Sequence, residues 1–111
     1  MSVNKAKELL SKYKREDIEF NEPKIFLISK RRHVSKKEIE ENLLDPLNLR
    51  YAFKMEERFD GEKWELFFID KNRILQIPVV FRPKSLYVKT IIKRLIRWER
   101  MIKKWKKSRQ I

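Results

Sequence analysis

Apolar positions along this chain repeat first at spacings of three and four, then at two, then at three and four again. Val3, Ala6, Leu9, Leu10 and Tyr13 form the first set, with Lys5, Lys7, Glu8 and Lys12 on the rest of the wheel. That spacing predicts an amphipathic helix from Ser2 to Tyr13, inside an N-terminal segment of residues 1–17. Ile18-Glu19-Phe20 reads as a brief extended link. Asn21-Glu22-Pro23 opens a second helix, with a polar cap and then proline near the first helical position. Its body, Ile25-Phe26-Leu27-Ile28, is apolar on all sides, which predicts a largely buried helix. It ends in Lys30-Arg31-Arg32-His33, where cations meet the negative end of the helix. Ser35-Lys36-Lys37-Glu38 is a capping box, with Val34 and Ile39 as a hydrophobic staple. Asp45-Pro46 stops this third helix near Leu44, because the residue before proline is pushed out of the helical region.

From Leu49 the period becomes two. Leu49, Tyr51, Phe53 and Met55 alternate with Arg50, Ala52, Lys54 and Glu56, as in a half-buried strand. Asp60-Gly61 is a hairpin signal, and Lys63 to Ile69 is the return strand. Ile74 to Phe81 is a third strand, apolar enough to be buried on both faces, with Pro78 implying an edge or a bulge. Leu86 to Thr90 is a fourth. The helical period then returns with Ile91, Leu95, Trp98, Ile102 and Trp105. The expected fold is a single α+β domain over residues 1–111, with N-terminal helices, a four-stranded antiparallel meander and a long basic C-terminal helix over residues 91–111.

Charge sharpens this picture. The net charge is +13, and the stretch from Arg82 to the end holds 12 Lys or Arg against one acid, Glu99. Upstream, 17 basic residues nearly balance 15 acidic ones. Such a concentration predicts a polyanionic partner, with RNA or other nucleic acid ahead of a membrane surface or an acidic protein. Cysteine is absent and there is one histidine, which excludes disulfides and thiolate metal sites; no cofactor and no metal are expected. The chain starts without the apolar core of a signal peptide and has no apolar run long enough to span a bilayer, so a cytoplasmic location is expected. Abundant Lys, Glu and Ile with a single Gly resemble the composition of heat-adapted proteins.

Two basic clusters are candidate nucleic-acid contacts. One is Lys30, Arg31 and Arg32; the other is Lys93, Arg94, Arg97, Arg100, Lys103, Lys104, Lys106 and Lys107 on the closing helix. Contacts of this kind hold phosphates in a salt-sensitive, sequence-tolerant way. Trp98 and Trp105 lie on the apolar stripe, which favours packing over base stacking. The same stripe also fits an oligomer seam or an interfacial helix. His33 is the one side chain whose ordinary pKa suits proton transfer near neutrality. Glu56, Glu57, Asp60 and Glu62 surround the hairpin and read as solvated acids.

The order of elements resembles the RelE/BrnT-like superfamily of small ribonuclease toxins and their relatives. The likeness runs from Ile18 to Lys93. It is carried by Arg32, Val34 and Ser35 before the capped helix, by the helix and stop from Glu38 to Pro46, and by Tyr87-Val88-Lys89-Thr90 in the last predicted strand. Lys24 stands where such relatives carry a histidine, and Ile28 where they carry an arginine. The resemblance implies a metal-independent endoribonuclease using Lys, Arg and Tyr on a concave sheet face, held by an acidic antitoxin in a toxin–antitoxin pair. Catalytic candidates are then Lys24, Arg32, Arg50, Lys54, Arg82, Tyr87 and Lys89, with His33 added on its chemistry. A nucleic-acid-binding module without catalysis is the alternative, and a membrane-surface or oligomerising protein is a further one.

Overall fold

The computed structural model describes residues 2–70 and 72–108, without the side chains of Ile28, Ser29, Arg32, Lys107 and Ser108. The protein is α+β. Helix α1 (Ser2–Leu10) leads through a 3₁₀ turn (Arg15–Asp17) to strand β1 (Ile18–Phe20). Helices α2 (Glu22–Arg32) and α3 (Lys36–Leu44) follow, then β2 (Leu49–Arg58), β3 (Gly61–Asp70), β4 (Arg73–Phe81), β5 (Leu86–Val88) and β6 (Ile92–Leu95). A 3₁₀ turn (Ile96–Trp98) and helix α4 (Glu99–Ser108) close the described chain. The strands make one mixed sheet in the order β1-β5-β4-β3-β2, with β6 also paired to β4. Among the described residues the β1–β5 pair is parallel and the other strand pairs are antiparallel.

The sheet has two different faces because its strands alternate. Trp64, Leu66 and Phe68 of β3, with Leu75, Ile77, Val79 and Phe81 of β4, pack against Ala6 and Leu10 of α1, Ile25 of α2, and Ile39 and Leu43 of α3. The opposite face buries a smaller cluster, Tyr51, Phe53, Phe67 and Ile74, under Ile102 of α4, with Trp98 and Trp105 packed beside it. Trp105 meets Phe53 with ring centroids 4.9 Å apart and Phe67 edge-on at 6.1 Å. Ser35 caps α3 by accepting the Glu38 amide at 3.1 Å, a bond of about 1 kcal/mol. Glu38 itself turns to an ion pair with Arg73 of β4 and so ties α3 to the sheet.

Several expectations are corrected. The sheet has six strands, not four. The Ile18–Phe20 link is a true strand because it docks in parallel register against Leu86–Val88. The expected helix over 91–111 is broken: Ile92–Leu95 pairs with Arg73–Gln76 as a strand, and α4 has 10 residues. Sheet pairing overrides the helical spacing there, since β4 otherwise presents an unpaired edge. Residues 109–111 of the expected helix lie outside the described residues. Helix α2 is not largely buried: Ile25 is, but Phe26 and Leu27 are 59% and 57% exposed. Pro78 sits on neither an edge nor a bulge. Its carbonyl accepts the Lys89 amide on the side where β5 ends and β6 begins, so its missing N–H falls in the gap between those two strands. The hairpin turns through Phe59 and Asp60, with Arg58 and Gly61 paired. Gly61 is needed for close approach as well as for its φ of +149°: a Cβ there would lie 2.2 Å from the Phe81 carbonyl oxygen.

Candidate phosphate-binding site on the open sheet face

Alternation along β3 sends Lys63, Glu65, Phe67 and Ile69 to the face that α4 covers only in part. Phe67 is fully buried there, while Lys63 and Glu65 remain partly exposed. Register carries neighbours to them across the sheet. Lys63 pairs with Val80, which pairs with Tyr87; Glu65 pairs with Pro78, whose carbonyl holds the Lys89 amide at 3.1 Å. Strands lie about 4.8 Å apart, so Glu65 and Lys89 are two strands, roughly 10 Å, apart at the backbone and within side-chain reach of a common point. Phe67 pairs with Gln76, and Arg94 of β6 pairs with Ile74 on the same face.

A hydrogen-bonded row crosses the site. Arg94 Nε donates to Gln76 Oε1 at 2.9 Å, and Gln76 Nε2 donates to Glu65 Oε2 at 3.4 Å. The Arg94 guanidinium also lies 3.6 Å from the ring centroid of Trp98. Burial raises the Glu65 carboxyl above the usual carboxylate range, against the Gln76 hydrogen bond and the cations of Lys63, Lys89 and Arg94. Lys63 is the main cause of a lowered Lys89 ammonium; burial, Arg58 and Lys24 push the same way. A carboxyl moved up and an ammonium moved down come closer to one another in proton affinity, as an acid–base pair requires. The surrounding cations are suited to a phosphate.

Of the residues expected from sequence, Lys89 and Tyr87 belong to this face, and Lys24 approaches it from the first turn of α2. Arg82 lies 3.3 Å from Asp60, 3.6 Å from Glu19 and 4.5 Å from the Tyr87 ring. It braces the β4–β5 turn. Lys54 is elsewhere: it pairs in register with Trp64 and binds Glu57 at 2.8 Å and Glu62 at 3.7 Å. Ordinary alternation puts it on the Trp64 face, opposite Lys63, and after the register shift that follows it Glu56 is the β2 residue paired with Lys63. Arg50 sits 3.9 Å from Glu99 at the other end of β2. His33 caps α2 in the left-handed conformation, φ 55°, exposed to solvent. The Arg32 and Lys107 side chains lie outside the described residues. Lys30 and Arg31 are exposed at the end of α2; Lys93, Arg97, Arg100, Lys103 and Lys104 are exposed on or beside α4, and Lys106 lies over Tyr51 at 5.8 Å.

No protein-family model matches this chain, and no curated protein or solved structure is significantly similar to it.

Lys63, Glu65, Gln76 and Arg58 escaped the sequence reading as site residues. A signal was present in Lys63-Trp64-Glu65-Leu66-Phe67, where one alternate set changes from charged to aromatic midway. A cavity of about 670 Å³ lies at the hairpin end between α1 and the Arg82–Lys84 turn. Its lining mixes Lys12, Arg58 and Lys84 with Asp17, Glu57 and Glu62, so it offers no field of one sign. The sheet face, where cations outnumber the one carboxylate, is therefore the better candidate for holding a phosphate. Among the described residues no group of His, Asp and Glu is arranged to hold a metal ion, and no helix is long and apolar enough to cross a membrane.

Proposed function

We propose that this protein binds RNA across the open sheet face and cleaves it by internal transesterification. The observation that carries this reading is the placing of Lys63, Lys89 and Arg94 on one sheet face about the half-buried carboxylate Glu65, with Arg58 and Lys24 adding their charge beside Lys89. Cations held this close repel one another, and a phosphate among them turns that cost into binding. The exposed cations of α4 extend the same field along a polyanion.

Glu65 takes the proton of the ribose 2′-hydroxyl. The 2′-oxygen attacks the adjacent phosphorus, and the P–O5′ bond breaks. The Lys89 ammonium gives its proton to the departing 5′-oxygen, while Lys63 and Arg94 hold the phosphoryl oxygens. The products are a 2′,3′-cyclic phosphate and a 5′-hydroxyl. Tyr87 and Lys89 on one sheet face agree in kind with the RelE/BrnT-like resemblance, and an acidic antitoxin-like segment would compete for the same cations. Incubation of pure protein with labelled single-stranded RNA in EDTA tests this. Cleavage that Glu65→Gln and Lys89→Met abolish supports it. RNA that shifts on a gel but stays intact reduces the protein to a binding module, and RNA that does neither refutes the reading.

A further inference from the structure

A groove of about 540 Å³ opens beside the phosphate site, lined by Gln76, Trp98, Met101, Lys104 and Trp105. Its wall is made mainly of aromatic and thioether surface, and its polar side-chain groups are the Gln76 amide and the Lys104 ammonium. Trp105 is locked by Phe53 and Phe67 and forms a rigid side. Trp98 is half-buried with the Arg94 guanidinium against it, and Met101 is 51% exposed at the mouth. Gln76 joins the groove to the phosphate site, since the same amide binds Glu65 and Arg94.

We infer that this groove seats the nucleobase of a nucleotide next to the cleaved phosphate. The inference rests on the RNA reading above and adds to it a base subsite. Three properties favour a base over another occupant. The groove is contiguous with a cation cluster suited to a phosphate, so a nucleotide spans both. Aromatic and sulfur-bearing walls match the faces of a heterocycle. The Gln76 amide, with two hydrogens on Nε2 and two lone pairs on Oε1, retains one donor and one acceptor for a base edge after its bonds to Glu65 and Arg94. The tryptophans that the sequence assigns to packing therefore do both: Trp105 fills the core, and the accessible part of Trp98 faces the ligand.

The test compares a single-stranded hexauridylate, 2′-O-methylated against cleavage, with an abasic hexamer of the same sugar-phosphate backbone, by anisotropy and by tryptophan emission at low salt. The base-bearing strand is expected to bind roughly tenfold tighter, as stacking of one base implies, and to quench emission where the abasic strand does not. Trp98→Leu should bring the two affinities together while leaving abasic binding in place, and Trp98→Phe should restore most of the difference. The wild-type comparison decides even where Trp98→Leu does not fold. Equal affinities for the two strands overturn the base seat and leave the phosphate site standing. Binding of neither strand overturns both.

Discussion

The cation cluster predicts how RNA binding responds to salt. Lys24, Arg58, Lys63, Lys89 and Arg94 surround the proposed phosphate path. Each cation that neutralises a phosphate of a single strand contributes about −0.7 to the slope of log affinity against log salt, so five give a slope near −3.5. Raising salt from about 50 to about 200 mM should then weaken binding roughly 100-fold. Replacing both Lys63 and Lys89 by Met removes two contacts and should bring the slope to about −2, with roughly a 20-fold loss across the same range. The assay is fluorescence anisotropy of a labelled, 2′-O-methylated single strand, so that cleavage does not intrude. Arg100→Gln with Lys103→Gln is the informative control, because those side chains are exposed on α4 and line no part of the groove beside Gln76. A slope that stays unchanged in Lys63→Met/Lys89→Met but collapses in the α4 variant would place binding on the helix and refute the sheet-face site.

Four further outcomes follow from particular contacts. Glu65 holds its proton more tightly folded than unfolded, so its contribution to stability falls as pH rises from about 4 through its raised folded value. Glu65→Gln should thus melt at an equal or higher temperature at neutral pH, with the difference vanishing in acid, while cleavage is lost. Tyr51 donates to Glu99 at 2.7 Å, and burial with that bond lifts its phenol to about 12; the folded state is favoured below pH 10 and loses this support between pH 10 and about 12. Tyr51→Phe should cost about 1–2 kcal/mol in urea unfolding near neutral pH. Phe67→Ala should cost about 3–5 kcal/mol in the same assay, because Phe67 is fully buried beneath α4. Gly61→Ala should cost about 1–3 kcal/mol, since the new methyl meets the Phe81 carbonyl and the φ suits only glycine.

The elements that sequence and structure share are those with local causes. Ser35 caps α3 because its hydroxyl meets an amide three residues on, and Asp45-Pro46 ends the helix by steric exclusion; neither needs a distant partner. The strand character of β2 and β3 is also legible, but the half-buried alternation expected of β2 is not kept: register shifts on either side of Tyr51–Lys54 put Leu49 with Ala52 in the helix-side core and Tyr51 with Phe53 in the opposite one, and β3 meets a core on both faces. Departures arise where a distant partner decides. Ile91 to Trp105 carries a helical period, yet β4 captures Ile92–Leu95 as a strand. Phe26 and Leu27 look like core residues, but they are exposed, and among the described side chains of α2 it is Ile25 that is buried. The site divides in the same way. Lys89 and Tyr87 stood out beside one another in a short strand. Lys63 and Glu65 gain their setting from Pro78 and Gln76, which lie 11 to 15 residues away in the chain and next to them in the sheet.

Cleavage of an otherwise deoxyribose strand carrying one ribonucleotide tests the proposed chemistry most directly. In EDTA the protein should cut only on the 3′ side of that ribose, leaving a 2′,3′-cyclic phosphate and a 5′-hydroxyl, and Glu65→Gln should leave the strand intact. Cutting at deoxyribose positions, or equal cutting by Glu65→Gln, would contradict a 2′-hydroxyl attack assisted by Glu65 on this sheet face.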